Sequence, residues 1–479
     1  MNRASRLALG LAVAASLAAC KTVGPNFHSP AAPTSAGYLS PGEQIPAEAT
    51  LSPQTRVAGA WWRSFGSADL DRVMREALAN NPTLAAADAT LERARDQVAA
   101  ARGAQQPQVT LGGIAERERI NFAAFGFTGF PNPTINLFTI GPTVVYDPDL
   151  FGGRRRQVES AQAQADAAAR RADVAYLTLT GNVALQALQI ASARAQLNTL
   201  DQVLAGDREN IAMVKRAEAQ GGEAPSATAG GEAQLAADEA LRPPLEQQLS
   251  MGRHALALLV GKSPAEWSAP DFDLAAFATP APVPVSLPSE LVHRRPDIQA
   301  AEADLHAATA EIGVAAAKAY PDINLSANVT QGALTPVNLF GFGSTGWTLA
   351  SQLSMPLLNG GALAAQRRAA EADARVYMAR YQQTVLTAFG QVADVMQAIR
   401  NDDEEIAALR HAIDAAQSHL LDTQNAYRLG GGPMLGVIDA QRQVNQARRA
   451  LVAAQGRRMA DIAQLYTATA SDWRAAPAG

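Results

Sequence analysis

The sequence predicts an α+β fold, mainly α, in which very long antiparallel helices join a small set of amphipathic strands and the whole plan is written twice. Three observations predict it. Residues 154–219 and 362–429 contain no proline, so each span reads as one helix, and at ~1.5 Å per residue each reaches roughly 100 Å. Along the second span Met378, Val385, Val392, Ile399, Ile406, Ile413, Leu420 and Tyr427 recur every seven residues, with Phe389 and Met396 as an early second stripe. That period keeps one seam against a partner helix, as in a coiled coil. Four shorter runs alternate apolar and polar side chains with the period of two that marks a strand with one apolar face.

The duplication is visible in the punctuation. Pro82 and Pro107 lie 25 residues apart, as do Pro296 and Pro321, and between them Leu84, Leu91 and Val98 match Ile298, Leu305 and Ile312. Further on the offset becomes 208: Gly152-Gly153 matches Gly360-Gly361, Gly222 matches Gly430, and Pro225 matches Pro433. Each repeat reads helix, β-hairpin, very long helix, tight turn, long helix. The first repeat spans 61–270, with a hairpin at about 108–146 and helices over 154–219 and 226–260. The second spans 271–470, with a helix at 296–319, a hairpin at about 322–356 and helices over 361–429 and 434–467, before a tail at 471–479. Proline at the head of the helices that begin at 82 and 296 suits a first helical position.

The 479 residues carry a formal net charge of −5, so no basic field points to nucleic acid. Arg3 and Arg6 precede an apolar run from Leu7 to Ala19, which has the length of a signal-peptide core and is too short for a permanent transmembrane helix. Leu17-Ala18-Ala19-Cys20, which holds the one cysteine, resembles the lipobox of bacterial lipoproteins. The resemblance implies a signal peptide at 1–19, cleavage before Cys20, and diacylglyceryl and fatty acyl groups on Cys20; Lys21 in place of aspartate fits the outer membrane. The alternative is an ordinary signal peptide with an incidental cysteine. From 20 to 60 the chain reads as an extended tether, because Pro25, Pro30, Pro33, Pro41, Pro46 and Pro53 exclude regular structure.

The strands carry the strongest constraint. Ile323, Leu325, Ala327 and Val329 alternate with Asn324, Ser326, Asn328 and Thr330. Trp347, Leu349, Leu353 and Met355 repeat the pattern with Ser351 interrupting it; Phe138, Ile140, Val144 and Tyr146 do so around Pro142; Val109 and Leu111 open the fourth run. Runs of about 9–11 residues are long enough to cross a bilayer as tilted strands. The long helices carry Arg, Asp, Glu and Gln on nearly every turn, so they belong in water. Lipid leaves an open sheet edge unpaired, and membrane barrels start at about eight strands, so four strands in lipid require an oligomer; two copies supply eight and three supply twelve. Phe122, Phe125, Phe127 and Phe130 in the first loop, and Leu339, Phe340 and Phe342 in the second, suit an interfacial belt or the mouth of a barrel. Otherwise they cap a soluble sheet.

Several motifs then resemble one family. Leu287-Pro288-Ser289-Glu290-Leu291-Val292-His293-Arg294-Arg295-Pro296-Asp297-Ile298 resembles a hallmark of the outer-membrane factor lipoproteins, the OprM-like, NodT-type members of the TolC superfamily. Asp149-Leu150-Phe151-Gly152 is similar to their strand-to-helix junction. Tyr427-Arg428-Leu429-Gly430, followed by Leu435, Val437, Ile438, Asp439, Ala440, Gln441 and Arg442, resembles their last helical turn. The resemblance implies a homotrimer whose twelve strands, four per chain, form one transmembrane β-barrel in outer-membrane lipid, continuous with an α-barrel of twelve helices. An equatorial collar is implied near Trp61–Asn80 and Trp267–Arg295. It also implies passive efflux through a tripartite pump, with a periplasmic adaptor and an inner-membrane transporter of the RND type as partners, no cofactor and no catalysis. The alternative function is a lipid-anchored periplasmic coiled-coil scaffold without a pore.

By the same resemblance Leu435 and Asp439 fall on the constricting positions of a periplasmic gate, and Gly221, Gly222, Gly430 and Gly431 form tips for adaptor docking. Four residues apart, Leu435 and Asp439 share a helix face, and a three-fold axis would gather three Asp439 carboxylates around one pore. The plainer readings are an acid favoured at a helix start, a core leucine, and simple turn chemistry. Many relatives carry an acid near the position of Ala227, so the first tip is expected to be looser and uncharged at the gate. Arg294 and Arg295 read as ion-pair partners in the collar rather than as an anion site. The six histidines are scattered without metal-ligand spacing, and no nucleophile motif such as G-x-S-x-G is present.

Overall fold

A computed structural model describes residues 22–33, 35, 37–46, 49–51, 60–126, 128–129, 131–279, 283–285 and 288–469. The signal peptide at 1–19, Cys20, Lys21, Pro53, Phe127, Phe130, Leu287 and the tail at 471–479 lie outside them. In chain order the elements are β1 (Ala49–Leu51), α1 (Ala68–Asn80), α2 (Pro82–Gly103), β2 (Gln108–Arg119), β3 (Thr134–Tyr146), α3 (Gly153–Ala219), α4 (Pro225–Glu239), α5 (Arg242–Leu259), β4 (Val283–Val285), α6 (Pro288–Arg294), α7 (Pro296–Ala317), β5 (Asp322–Ala333), β6 (Thr345–Ser354), α8 (Ala362–Arg428) and α9 (Met434–Thr469). The fold is mainly helical with one small antiparallel sheet. It divides into two compact units: one comprises Thr90–Ala169, Ala300–Tyr381 and the segment up to Pro30; the other comprises Ala31–Ala89, Arg170–Gln299 and the chain from Gln382 on. Each unit draws on both sequence halves, so the boundary near residue 270 does not separate compact units.

The sheet belongs to the first unit. Its order is β2-β3-β5-β6, all antiparallel. Register brings the apolar positions together: Val109 lies opposite Val144, Val144 opposite Ala327, and Ala327 opposite Leu349. The adjacent row on the other face is Thr110, Thr143, Asn328 and Thr348. One face is therefore apolar across all four strands and the other largely polar. Pro142 sits inside β3, where it has no N–H to offer, and the β3–β5 ladder is interrupted between its pairs at Ile140 and Thr143. Gly141 is required beside it, because a Cβ there would stand 2.0 Å from the Val329 carbonyl oxygen.

Below the sheet, the turn from β3 into α3 is set by two aspartates. Asp149, at φ 48°, accepts from the backbone N–H of Arg154 at 3.0 Å and of Arg155 at 2.9 Å, capping the first turn of α3. Asp147 pairs with Arg154 at 2.6 Å. The segment that follows Cys20 in sequence docks at this junction. Val23 donates its N–H to the Phe151 carbonyl at 3.1 Å, and buried Arg156 donates to Val23 O at 3.2 Å and Asn26 Oδ1 at 2.8 Å. Phe27 stacks on His306 at 4.4 Å.

In the second unit, Trp61, Trp62, Phe65, Phe272, Phe277 and Tyr466 form an aromatic core, with Trp61 stacked on Tyr466 at 5.3 Å. Arg295 is buried and holds Asp297 through two contacts of 3.0 and 2.6 Å, the Ala468 carbonyl at 3.1 Å and Gln391 at 2.9 Å. Arg294 pairs with Glu290 at 3.0 Å. Both arginines of the motif are thus structural ion-pair partners. The heptad seam of α8 is buried at Val385, Val392, Ile399 and Ile406 and half-buried at Met378, Ile413, Leu420 and Tyr427. Small residues let α3 and α9 approach closely: a Cβ on Gly456 would meet Ser192 Oγ at 2.1 Å. One 18-residue window of α3 reaches a mean hydropathy of 1.2, but 50% of it is buried against the protein, as in a core helix.

Two expectations are corrected. The helix expected over 226–260 is broken at Ala240–Leu241 into α4 and α5. Pro243 and Pro244 open α5, and two missing N–H groups cannot continue the ladder of the helix before them. The tether expected to lack regular structure contains β1, which pairs in parallel with β4, Ala49 against Val283 and Leu51 against Val285. The three residues fall in a gap between prolines, so their backbone groups are free to pair.

Two carboxyl pairs, Asp207 with Asp238 and Asp402 with Asp461, lie where α9 packs on its neighbours. Burial and the adjacent Asp238 carboxylate push Asp207 up to about 6, against the pull of Arg449, which pairs with Asp238 at 2.6 Å. Burial and a hydrogen bond with Asp461 push Asp402 up to about 7, against Arg457. Both values lie above that of the unfolded chain, so the penalty for ionising them in the folded state is present at pH 8 and relieved as pH falls through 7 to 5. Carboxylates held below their usual range, Asp71 by Arg63 and Trp62 and Glu159 by His306 and Arg156, lose their contribution only at lower pH. Melting in detergent is therefore expected to rise between pH 8 and pH 5.5. Asp402→Asn is expected to raise the pH 8 melting temperature by about 5 °C and flatten the profile; a steeper profile would contradict the assignment.

Candidate functional site

Both helical tips are built by the same local chemistry. α3 ends in Gly221 at φ 73°, whose N–H reaches Glu218 O at 2.9 Å while the Gly222 N–H reaches Ala217 O at 2.9 Å. α8 ends in Gly430 at φ 74°, with Gly430 N–H to Tyr427 O and Gly431 N–H to Ala426 O, both at 2.9 Å. A left-handed residue after the last turn satisfies the orphan carbonyls, and glycine takes that conformation without strain. Pro225 and Pro433 then restart the chain at α4 and α9.

The two tips pack on each other. Val214, Ala227, Met434 and Val437 form a buried cluster, with Leu420, Tyr427 and Ile438 packed against it. At Ala227, where the tip was expected to carry no charge, the side chain is a core methyl. An acid is nevertheless present, which sequence reasoning missed: Glu223 accepts the backbone N–H of Met434 at 3.3 Å and so caps the start of α9 from the neighbouring tip. The signal was available in an acid lodged between two turn glycines and a proline, where the side chain has little else to pair with.

Leu435 and Asp439 lie away from this core. Leu435 is 51% exposed, so it is no core leucine within one chain. The Asp439 side chain is 49% exposed and meets Arg442 at 3.3 Å one turn on, a surface pair of small energetic value. The structure therefore presents Leu435 and Asp439 together on the exposed side of α9, while Met434 and Val437 face inward.

The sheet is the other candidate surface. Trp347 and Leu349 are 77% and 75% exposed, and every residue of β2 and β6 is exposed. Among the described residues β2 and β6 each have one unpaired edge. Of the expected apolar residues, Val109, Leu111, Leu325, Val329, Trp347, Leu349 and Leu353 are all exposed and register gathers them into one face; Met355, also exposed, lies just past the end of β6. α2 is similar: Leu84, Leu91 and Val98 are only half-buried, whereas Ile298 and Leu305 of α7 are buried.

Comparison with known proteins gives the family. The family model "Outer membrane efflux protein" matches residues 73–262 and 287–471. The pyoverdine export outer membrane protein OpmQ of Pseudomonas putida is 29% identical over 97% of this chain and 97% of its own. Nodulation protein T of Rhizobium leguminosarum bv. trifolii is 27% identical over 93% and 92%. Among solved structures, the outer-membrane channel OprN superposes with a TM-score of 0.86 at 26% identity, covering 95% of this chain and 100% of that one. The open state of the Neisseria gonorrhoeae MtrE outer membrane channel gives 0.82 at 25% identity, covering 94% and 98%. With an apolar strand face left exposed among the described residues and a family match over most of its length, the chain belongs to the outer membrane efflux proteins of the TolC superfamily and is an outer-membrane efflux channel.

Proposed function

We propose that three copies assemble into a passive duct whose twelve strands close one barrel in the outer membrane and whose helical tips form a gate. The observation that carries this reading is the apolar face shared by four strands with two open edges. Unpaired backbone groups cost several kcal/mol each in lipid, so the edge of β2 must meet the edge of β6 from another copy. The half-covered stripe of α2 needs a neighbour to take its apolar side chains out of water.

A duct of this kind has no need to recognise its cargo. Relatives of equal identity, 29%, are named for pyoverdine export and for toluene efflux, two chemically unlike loads. A small-molecule duct open to varied cargo fits the largely polar second face of the sheet, which would line the lumen. Selection then rests with an inner-membrane transporter of the RND type, linked by a periplasmic adaptor at the Gly221-Gly222 and Gly430-Gly431 tips. At the gate, three Leu435 side chains would narrow the pore and three Asp439 carboxylates one turn on would repel one another and attract cations. Cys20 would carry the lipid anchor; the docking of Val23 and Asn26 beside Phe151 and Arg156 would hold the anchored end at the strand-to-helix junction.

The purified chain is expected to run as a heat-sensitive trimer and to give discrete conductance steps in planar bilayers; a stable monomer without steps would favour the periplasmic scaffold instead. Asp439→Ala is expected to raise leak conductance several-fold with unchanged trimer yield, and an unaltered conductance at both low and high salt would remove Asp439 from the gate. Cys20→Ala is expected to abolish incorporation of labelled palmitate in cells, and equal labelling of the variant would rule out acylation there.

A further inference from the structure

Apart from Asp322 at the very start of β5, charge within the two hairpins is confined to one place. Between Gln108 and Tyr146, and between Ile323 and Ser354, the charged side chains are Glu116, Arg117, Glu118 and Arg119 and no others. β2 runs through these residues without a bulge, since its pairing with β3 is continuous from Gln108–Val145 to Arg119–Thr134. The alternation is therefore strict. Arg117 and Arg119 fall on the face of Val109, Leu111 and Ala115, while Glu116 and Glu118 fall on the face of Thr110.

Sorting by sign is the point of interest. Two arginines stand on the apolar face, next to one another at roughly 7 Å, and their sequence neighbours of opposite charge point the other way. Directly opposite them on β3 are Asn136 and Thr134, two more hydrogen-bonding side chains on the same face. All of β2 is exposed, and neither guanidinium has a carboxylate partner among the described residues. Arginine deep on a lipid-facing strand costs about 2–4 kcal/mol, and close to nothing at the interface. The pair therefore marks the headgroup level. It lies at the hairpin end of the strands, away from the junction where Tyr146 leads into α3. Since the helices belong in water on the junction side, the hairpin end faces the exterior.

We propose that Arg117 and Arg119, with Asn136 and Thr134 beside them, bind the phosphate groups of the glycolipid of the outer leaflet, a site on the outside of the barrel separate from the transport path. The inference rests on the barrel reading of the sheet. Guanidinium is suited to it because its planar fork takes two phosphate oxygens at once. A phosphate monoester carries more negative charge than the diester of an ordinary phospholipid, so two adjacent arginines favour the monoester-bearing lipid. Acyl chains below the headgroup would lie along Leu111, Val109 and the neighbouring Val144, which gives the same lipid an apolar track on the same face.

The test uses the full chain purified in mild detergent and delipidated. Lipid A, its phosphatase-treated form and phosphatidylglycerol are each titrated while retained lipid is measured by native mass spectrometry. Lipid A is expected to bind tightest, with roughly a five-fold loss of affinity for each arginine replaced in Arg117→Gln and Arg119→Gln. Glu116→Gln with Glu118→Gln, on the opposite face, is expected to leave retention unchanged. Equal binding of lipid A and its phosphatase-treated form by the unaltered protein would overturn the proposal without any variant, and phosphatidylglycerol binding as tightly as lipid A would overturn the preference for a monoester. Conductance from the same preparations separates the two readings. Steps with phosphate-independent retention overturn the lipid site alone, whereas no steps from the unaltered protein overturn the duct and this site with it.

Discussion

A backbone amide in lipid has nowhere to turn except another backbone. Among the described residues β2 and β6 each present one unpaired edge, and the four strands share a single apolar face. Neither feature is tolerable at rest in water or in lipid for one copy. An exposed edge is a template for pairing, and a continuous apolar face of four strands exceeds what monomeric surfaces usually leave bare. The proposed trimer follows from these requirements rather than from strong attraction at any one residue. The sheet is held internally by its three antiparallel ladders, with small and kinked positions such as Gly141 and Pro142 setting where one of them opens.

The helical part solves a different problem. Its seams are thin, built from alanine, glycine and widely spaced larger residues, so close approach does much of the work that bulky side chains do elsewhere. Gly456 against Ser192 is one such approach. A thin seam leaves room for buried charge, and charge is what sits there: Asp207 with Asp238 and Arg449, Asp402 with Asp461 and Arg457. Carboxyls packed against carboxyls are poor glue when ionised. Asp402 of α8 meets Asp461 of α9, and Arg449 of α9 reaches Asp238 of α4, in the very helix that carries Leu435 and Asp439.

The tips illustrate how function and packing share a few residues. Met434 and Val437 face the buried cluster, and Leu435 and Asp439 face outward from the same two turns. Glu223, reaching from one tip to the first N–H of α9, ties the two turns together. A partner that pulled the tips apart would have to break that hydrogen bond and uncover Val214, Ala227, Met434 and Val437.

Periodicity made most of the architecture legible from the sequence. A seven-residue repeat with no proline can do little but run as one long packed helix, and a two-residue repeat places its apolar side chains on one face whatever the partner strand. The glycines that end α3 and α8, the prolines that start the next helices, and the helix face shared by Leu435 and Asp439 were all implied by local chemistry; the exposure of Leu435 was not, because the sequence left a core leucine equally open. The breaks and long-range choices were not. Pro243 and Pro244 break the helix over 226–260 although the composition on either side is strongly helical, and β1, at three residues, is too short to carry a period. Which strand pairs with which, and that the two hairpins join through β3 and β5 so that four apolar faces become one, depends on partners distant in the chain. So do the pairing of Asp207 with Asp238 and the reach of Glu223 to Met434. Local sequence sets the period and the stops, because each depends on neighbours a few residues away; only the tertiary structure decides register and burial, because each depends on what arrives from the other half of the chain.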